Sequence, residues 1–252
     1  MLKVVFFDAA GTLFDARRAV GESYAAIARE FGVQASGREV SAAFRKVFAQ
    51  APPLSFGPHH SPARLRELER QWWHERVSET FAGLGQFSNF EAYFACLFAY
   101  FADYRNWMVH PGAFETLRAL REQGLELGVV SNFDSRLYTI LEGLGLAEYF
   151  HSMTISSATG AAKPDPEIFR AALALHQAAP DQAMHVGDSS ALDIVGAKAA
   201  GLEAILFAPD AGHSAARLSR YRPDIQVRAL PEVAEYVRRR DREIRFGGQT
   251  AS

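Results

Sequence analysis

Five short apolar runs, at residues 2–7, 125–131, 152–156, 183–187 and 203–207, constrain this chain more than any other feature. Val and Ile are prominent in several of them. Runs of this length suit strands buried on both faces of a parallel sheet. Between the later runs the apolar spacing changes to that of helices. Leu137, Ile140, Leu141 and Leu144 recur at i, i+3, i+4 and i+7, with Asp134 placed as an N-cap and Gly145 as a stop. Leu192, Val195, Gly196 and Ala199 repeat that spacing before Gly201. Asp165 and Pro166 form an N-cap and first-turn pair for a helix carrying Ile168, Phe169 and Leu175. Strand alternating with helix predicts a doubly wound parallel α/β sheet.

Residues 16–106 break the alternation and hold no convincing strand. Val20, Tyr24, Ile27 and Phe31 mark one helix; Val40, Phe44, Val47 and Phe48 mark a second. A third passes through Leu65, Leu68 and Trp72, and a fourth through Phe90, Phe94, Leu97, Phe101 and Tyr104. The Pro- and Gly-rich segment APPLSFGPHHSP (51–62) is a loop between the second and third. The expected organisation is an α/β core, residues 1–15 and 107–252, interrupted after its first strand by an all-helical cap, residues 16–106.

Composition narrows the function. A net charge of −2 gives no electrostatic case for nucleic acid or an anionic membrane surface. The basic run RRRDREIR near the C-terminus reads as the solvated end of a helix. Cys96 is the single cysteine, which excludes an intramolecular disulfide and a multi-cysteine metal site; its aromatic surroundings predict a small core residue. No apolar stretch reaches the ~18–20 residues of a membrane span, and the first run is too short for a signal peptide. A cytoplasmic protein acting on a small molecule is the expectation.

In open α/β sheets, ligands bind beyond the carboxyl ends of the strands. The polar residues expected there are Asp8 after the first run, Ser131 and Asn132 after the second, Lys163 in the loop AAKPDPEIF after the third, and Asp188 after Gly187 in the fourth, with Asp193 five residues on. An Asp-x-x-Gly-Thr run, a Ser after an apolar strand, a Lys-Pro and a Gly-Asp with a further Asp resemble, in that order, the four motifs of the haloacid dehalogenase-like (HAD) superfamily. A helical insert directly after the first motif is similar to subfamily I members with a helical cap. SNFDSRL, KPDPEIF, GESYAAIA and the Trp72–Trp73 pair resemble the rhythmically-expressed-gene-2-like branch of these hydrolases. The resemblance covers essentially the whole chain.

It implies a HAD-like Rossmannoid core and a hydrolase, with phosphatase chemistry foremost. Asp8 takes the position of a nucleophile that forms a covalent aspartyl intermediate. Lys163, the Ser131 hydroxyl and backbone donors around Gly11, Thr12 and Asn132 would bind and neutralise a phosphoryl group. Asp8, Asp188 and the Ala10 carbonyl would hold Mg²⁺, and Asp193 would orient that shell.

One position departs from the phosphatase pattern. Two residues after the nucleophile, where a second Asp usually moves protons, this chain has Ala10. General acid–base help of that kind is worth ~10²–10⁴ in rate. Three enzyme readings stay open: a Mg²⁺-dependent phosphatase without that shuttle, a phosphonoacetaldehyde hydrolase-like C–P cleavage with Lys46 as Schiff-base lysine, and a 2-haloacid dehalogenase. GDSSALD argues against the last, and the amphipathic setting of Lys46 against the second. A non-catalytic phospho-ligand binder is the fourth reading. His59 and His60 in the cap loop are candidates to shape the leaving-group pocket.

Overall fold

The first apolar run forms a strand, β1 (Val4–Phe7), in which every residue is buried. Val5 and Phe7 enter one hydrophobic core and Val4 and Phe6 another, as alternate side chains of a strand must when both faces are covered. The computed structural model describes residues 1–209 and 222–246, so the expected core segment 107–252 runs partly outside the described residues. After β1 come β2 (Phe14–Ala16) and four cap helices, α1 (Val20–Glu30), α2 (Gly37–Phe48), α3 (Pro62–Phe81) and α4 (Phe90–Ala102). Then follow β3 (Trp107–Val109), α5 (Ala113–Glu122), β4 (Glu126–Ser131), α6 (Arg136–Gly143), β5 (Ser152–Ile155), α7 (Ser156–Thr159) and α8 (Pro166–Leu175). The chain closes with β6 (Ala183–Gly187), α9 (Val195–Ala199), β7 (Glu203–Phe207), β8 (Ile225–Val227) and α10 (Pro231–Phe246).

The main sheet is six-stranded and parallel, in the order β5-β4-β1-β6-β7-β8. Helices α5, α6 and α10 cover one face through Leu117, Leu120, Leu137, Ile140, Val233 and Val237. Helices α8 and α9 cover the other through Ile168, Phe169, Ala172 and Ala197. The chain leaves β1 for β4 on one side and returns to β6 on the other, so the crevice of a doubly wound sheet opens beyond β1.

All five runs form strands of this sheet, and β8, only three residues long, was not visible in the sequence. A second feature was missed at the edge of the insert. β2 and β3 pair antiparallel, with Phe14 opposite Val109 and Ala16 opposite Trp107. The chain therefore leaves for the helices and returns from them through one short ribbon. Phe14 and Trp107 meet edge to face there, with ring centroids 5.3 Å apart.

Three of the four cap helices start where their capping residues place them. Ser36 and Glu39 form a reciprocal capping box, and Ser61 and Asn89 accept from the first turns of α3 and α4. Tyr24, Val40, Val77, Phe81, Phe94 and Leu97 pack into a third core. Two expectations fail in α4. The stripe is centred on Tyr93 as well as Phe94 and Leu97, and Tyr104 lies past the helix end, 44% exposed. Cys96 is exposed rather than a core residue, because α4 turns the Tyr93–Phe94–Leu97 face to the bundle and leaves Cys96 outside.

Three helix readings in the core also need correction. Leu175 is 64% exposed, and Leu173 takes its place in the core. Leu192 is exposed at 38% because residues Ser190–Ile194 form a π-helical turn, whose extra residue per turn swings Asp193 and Ile194 inward. Asp134 is not the N-cap residue itself: Ser135 is, and the Asp134 carboxylate accepts from Arg136 N at 2.9 Å. The run RRRDREIR lies in the last turns of α10, a helix end as expected.

Candidate active site

Asp8 stands at the carboxyl end of β1, between β4 and β6, its backbone N–H donating to the Val186 carbonyl at 2.9 Å. The residue is 8% exposed. Lys163 comes from the loop between β5 and α8, with its Nζ 2.7 Å from Asp8 Oδ1 and 2.7 Å from Asp193 Oδ1. The Asn132 side chain fixes the backbone that carries this lysine. Its amide donates to the Lys163 carbonyl at 2.9 Å, and its oxygen accepts from the Lys163 N–H at 2.7 Å.

Asp193 is fully buried, and both of its oxygens accept hydrogen bonds. Oδ1 accepts from Lys163 and from His185 Nε2 at 2.9 Å, and Oδ2 accepts from Ser189 N at 2.9 Å. Gly187 makes room for it, since a Cβ there would lie 2.2 Å from Asp193 Cγ. Asp188 faces open solvent on one side, and Gly11, at φ +90°, brings the first-motif turn against it. A Cβ on Gly11 would meet the Asp188 carboxylate at 2.7 Å. Oxygens of Asp8, Asp188 and Asp193 all lie within 4.8 Å of one another.

These distances set the charge states. Burial would raise the Asp193 carboxyl, but the Lys163 charge and the His185 hydrogen bond overcome it and hold the group well below the carboxylate range. Burial also lifts Asp8; Lys163 draws it back and Asp193 adds to the rise. The Lys163 ammonium would lose its proton more readily through burial alone, yet Asp193 and Asp8 raise it above the ordinary lysine value. Asp188 forms no ion pair among the described residues, and the Lys163 charge counts for less there than burial and the two other acids. Burial first, then repulsion from Asp8 and Asp193, push it up to about 7. The fold thus holds one ammonium against three carboxylates.

That imbalance is the donor set a divalent cation fits. Each Asp193 oxygen already accepts a hydrogen bond, whereas Asp188 forms no ion pair and Asp8 meets Lys163 through Oδ1. The turn after Asp8 adds a neutral oxygen. Its bonds run from Gly11 N to Phe14 O at 2.9 Å and from Phe14 N to Ala9 O at 3.3 Å, so the Ala10 carbonyl accepts no backbone hydrogen bond. Two carboxylates and one carbonyl match the few oxygen ligands Mg²⁺ takes from proteins.

The remaining sequence-derived residues divide. Ser131, at the end of β4, is 3% exposed, and its hydroxyl bonds no other described residue. The Gly11 and Thr12 N–H groups, expected as phosphate donors, are spent inside the turn on Phe14 O and Ala9 O. Thr12 is fully buried and its hydroxyl has no partner. Lys46 does not join the constellation. It lines an open groove between α2 and α3 with Gln50, Arg76 and Glu79, and no residue of the sheet contributes to that groove. His59 and His60 are exposed, although their loop touches the core through Phe56 N, which donates to Ser157 O at 3.0 Å.

Three participants were missed in the sequence. His185 sits inside a buried strand, where it reads as an irregularity in an apolar run. Glu69 and Trp73 lie on α3 and seat the cap on the core. Glu69 Oε1 accepts from Ser135 N at 3.0 Å, Ser135 Oγ at 2.8 Å and Ser157 Oγ at 2.6 Å. Trp73 Nε1 donates to Asp134 Oδ2 at 2.6 Å. Beside them a cavity of about 100 Å³ is walled by Tyr24, Phe44, Trp73, Phe98, Trp107 and Phe133, and none of the charged residues around Asp8 lines it. The signal available in the sequence was a glutamate on the apolar side of α3, four residues before Trp73.

Known proteins place this chain in a family. The profile of haloacid dehalogenase-like hydrolases matches residues 2–201, and the chain belongs to that family. Haloacid dehalogenase-like hydrolase domain-containing protein 3 of Mus musculus is 40% identical over 209 residues, covering 82% of each chain. Rhythmically expressed gene 2 protein of Drosophila melanogaster is 29% identical over 222 residues, covering 81% of this chain and 82% of that one, in keeping with the expected branch. Phosphoserine phosphatase of Thermus thermophilus is 38% identical over 108 residues, 42% of this chain and 43% of its own. Solved phosphatases and solved 2-haloacid dehalogenases share the overall fold, so fold alone does not choose the bond that is broken. No described helix is long and apolar enough to cross a membrane.

Proposed function

We propose that this HAD-family hydrolase is a Mg²⁺-dependent phosphatase of a small phosphorylated metabolite, with Asp8 as nucleophile. The observation that carries the reading is the Asp8–Lys163–Asp193 chain with a further carboxylate, Asp188, beside it and forming no ion pair. We also take residues 1–15 and 107–252 as core and 16–106 as cap, on the pairing of β2 with β3 at both edges of the insert.

In this reading Asp8, Asp188 and the Ala10 carbonyl hold Mg²⁺, which when bound supplies positive charge to the phosphoryl oxygens and removes the repulsion between the two carboxylates. An Asp8 oxygen attacks phosphorus, an O–P bond forms, and the bond to the leaving oxygen breaks with its electron pair. Lys163 stays charged and faces the phosphoryl group as it transfers. The Ser131 hydroxyl, without another partner, donates to a phosphoryl oxygen. Water then attacks the aspartyl-phosphate and regenerates Asp8. Ala10 gives no side chain to move a proton in either step, so a leaving group that departs without one reacts best.

Hydrolysis of an aryl phosphate, followed with Mg²⁺ and with chelator, tests this. Turnover is expected with Mg²⁺, is abolished by chelator, and falls by at least ~10³ in Asp8→Asn. Full activity in chelator would sink the metal assignment. Unchanged turnover in Asp8→Asn would remove the nucleophile and with it the enzyme reading.

A further inference from the structure

We propose that His185 is a positioning residue for this reaction: it anchors Asp193, and through Asp193 it fixes the Lys163 ammonium against Asp8. The role rests on the phosphatase reading. The hydrogen bond beneath it does not.

His185 lies on β6 with no exposed surface. Its Nε2 is 2.9 Å from Asp193 Oδ1, the same oxygen that accepts from Lys163 Nζ. An ionised carboxylate only accepts, so Nε2 must carry a proton. The other ring nitrogen, Nδ1, is buried with no partner, and the ring meets Phe169 edge to face at 4.9 Å. A second N–H there would be orphaned in an apolar layer, at a cost of about 1–3 kcal/mol. The geometry therefore places a proton on Nε2, directed at Asp193.

That hydrogen bond explains why Asp193 can sit where it does. The π-helical turn at Ser190–Ile194 aims it inward, and Ser189 N holds one oxygen. Without His185 the other oxygen would be held by Lys163 alone, and Lys163 is shared with Asp8. A carboxylate with two fixed donors cannot rotate toward the substrate side. Nor can it draw the ammonium away from Asp8. Groups that fix a reactive side chain in this way are worth ~10–100-fold in activity when removed.

His185→Leu and His185→Gln separate this role from packing. Gln offers an amide N–H toward Asp193 from within the space of the ring, and Leu offers none. With an aryl phosphate and Mg²⁺, kcat of His185→Leu is expected to fall ~10–100-fold with little change in KM, and His185→Gln to recover most of it. Nitrogen NMR of labelled histidine is expected to show Nε2 protonated, whether or not substrate or metal is present. A folded Leu variant with wild-type kcat overturns the proposal, as does an Nε2 without a proton in the wild type. Should the Leu variant fail to fold, the Gln variant and the nitrogen signature still decide it. Absence of turnover in wild type defeats the phosphatase reading instead, and the imidazole signature remains a separate test of the anchor.

Discussion

Two groups of buried carboxylates in this molecule are stabilised in opposite ways. Around Lys163 the acids Asp8 and Asp193 are matched by a full positive charge at 2.7 Å. At the seam between cap and core, Glu69 is 3% exposed and receives only neutral donors, from Ser135 and Ser157. The outcomes differ accordingly. Asp193 is held strongly ionised, whereas Glu69 is raised above the usual glutamate value of 4.5 because burial outweighs its hydrogen bonds. A cation backed by two further donors keeps the anchor Asp193 negative, while Asp8, which shares that lysine, is still raised by burial and by Asp193. Neutral donors satisfy geometry without fixing charge, which suffices for a seam.

The largest effect should come from removing that cation. Lys163→Met leaves two buried carboxylates facing each other without compensation, a change that typically costs about 3–5 kcal/mol. Urea unfolding at neutral pH is expected to show a loss of this size, together with loss of turnover. The loss should shrink in acid, where the freed carboxylates take up protons. A variant as stable as wild type would mean that Lys163 does not balance this cluster, and the contrast with Glu69 would fail.

A smaller effect is expected from adding an acid to the charged cluster. Ala10→Asp places a carboxylate one residue before Gly11, whose missing Cβ already allows contact with Asp188. If the new side chain finds the leaving oxygen, turnover of an alkyl phosphate rises by part of the ~10²–10⁴ that acid–base help supplies. The first chemical step with an aryl phosphate should gain less. The aspartyl-phosphate, expected to accumulate in wild type in rapid-quench samples, should become scarcer. Equal gains for both substrates, or none, would show that the proton comes from another group.

What the sequence disclosed follows the same division. Asp8 and Asp188 were legible because each lies directly past a buried apolar run, where charges are rare without a reason, and Lys163 and Asp193 because they complete the motif order in the segments that follow. The sheet was legible because β1, β4, β6 and β7 are continuous apolar stretches. Three-residue strands such as β2, β3 and β8 carry too little pattern to announce themselves, and they need tertiary pairing to exist. Glu69 was hidden because its helix face is read by apolar spacing, and a buried acid satisfied by serines 66 and 88 residues away leaves no local trace. Leu192 misled for a related reason: the π-turn shifts the helical register, and 3.6-residue spacing cannot anticipate it.

The smallest effect concerns Glu69 and tests the neutral side of the comparison. Burial raises its carboxyl; hydrogen bonds from Ser157 and Ser135 lower it, and Asp134 nearby raises it. Folded Glu69 therefore holds its proton more tightly than the unfolded chain does. The stability this contributes is fully present below the unfolded value of 4.5 and is lost as pH rises through the folded value. Glu69→Gln keeps an acceptor oxygen for the serines and cannot ionise, so it escapes that loss. Thermal melts of the two proteins should lie close together in acid and separate as pH rises, with wild type lower by about 1 kcal/mol, or about 2–4 °C in Tm. Asp193 should behave in the reverse sense, because its folded value is depressed: its contribution is present above the unfolded carboxylate range and lost in acid. If wild type instead gains on Glu69→Gln as pH rises, Glu69 is stabilised as an anion like Asp193, and the two clusters obey one rule rather than two.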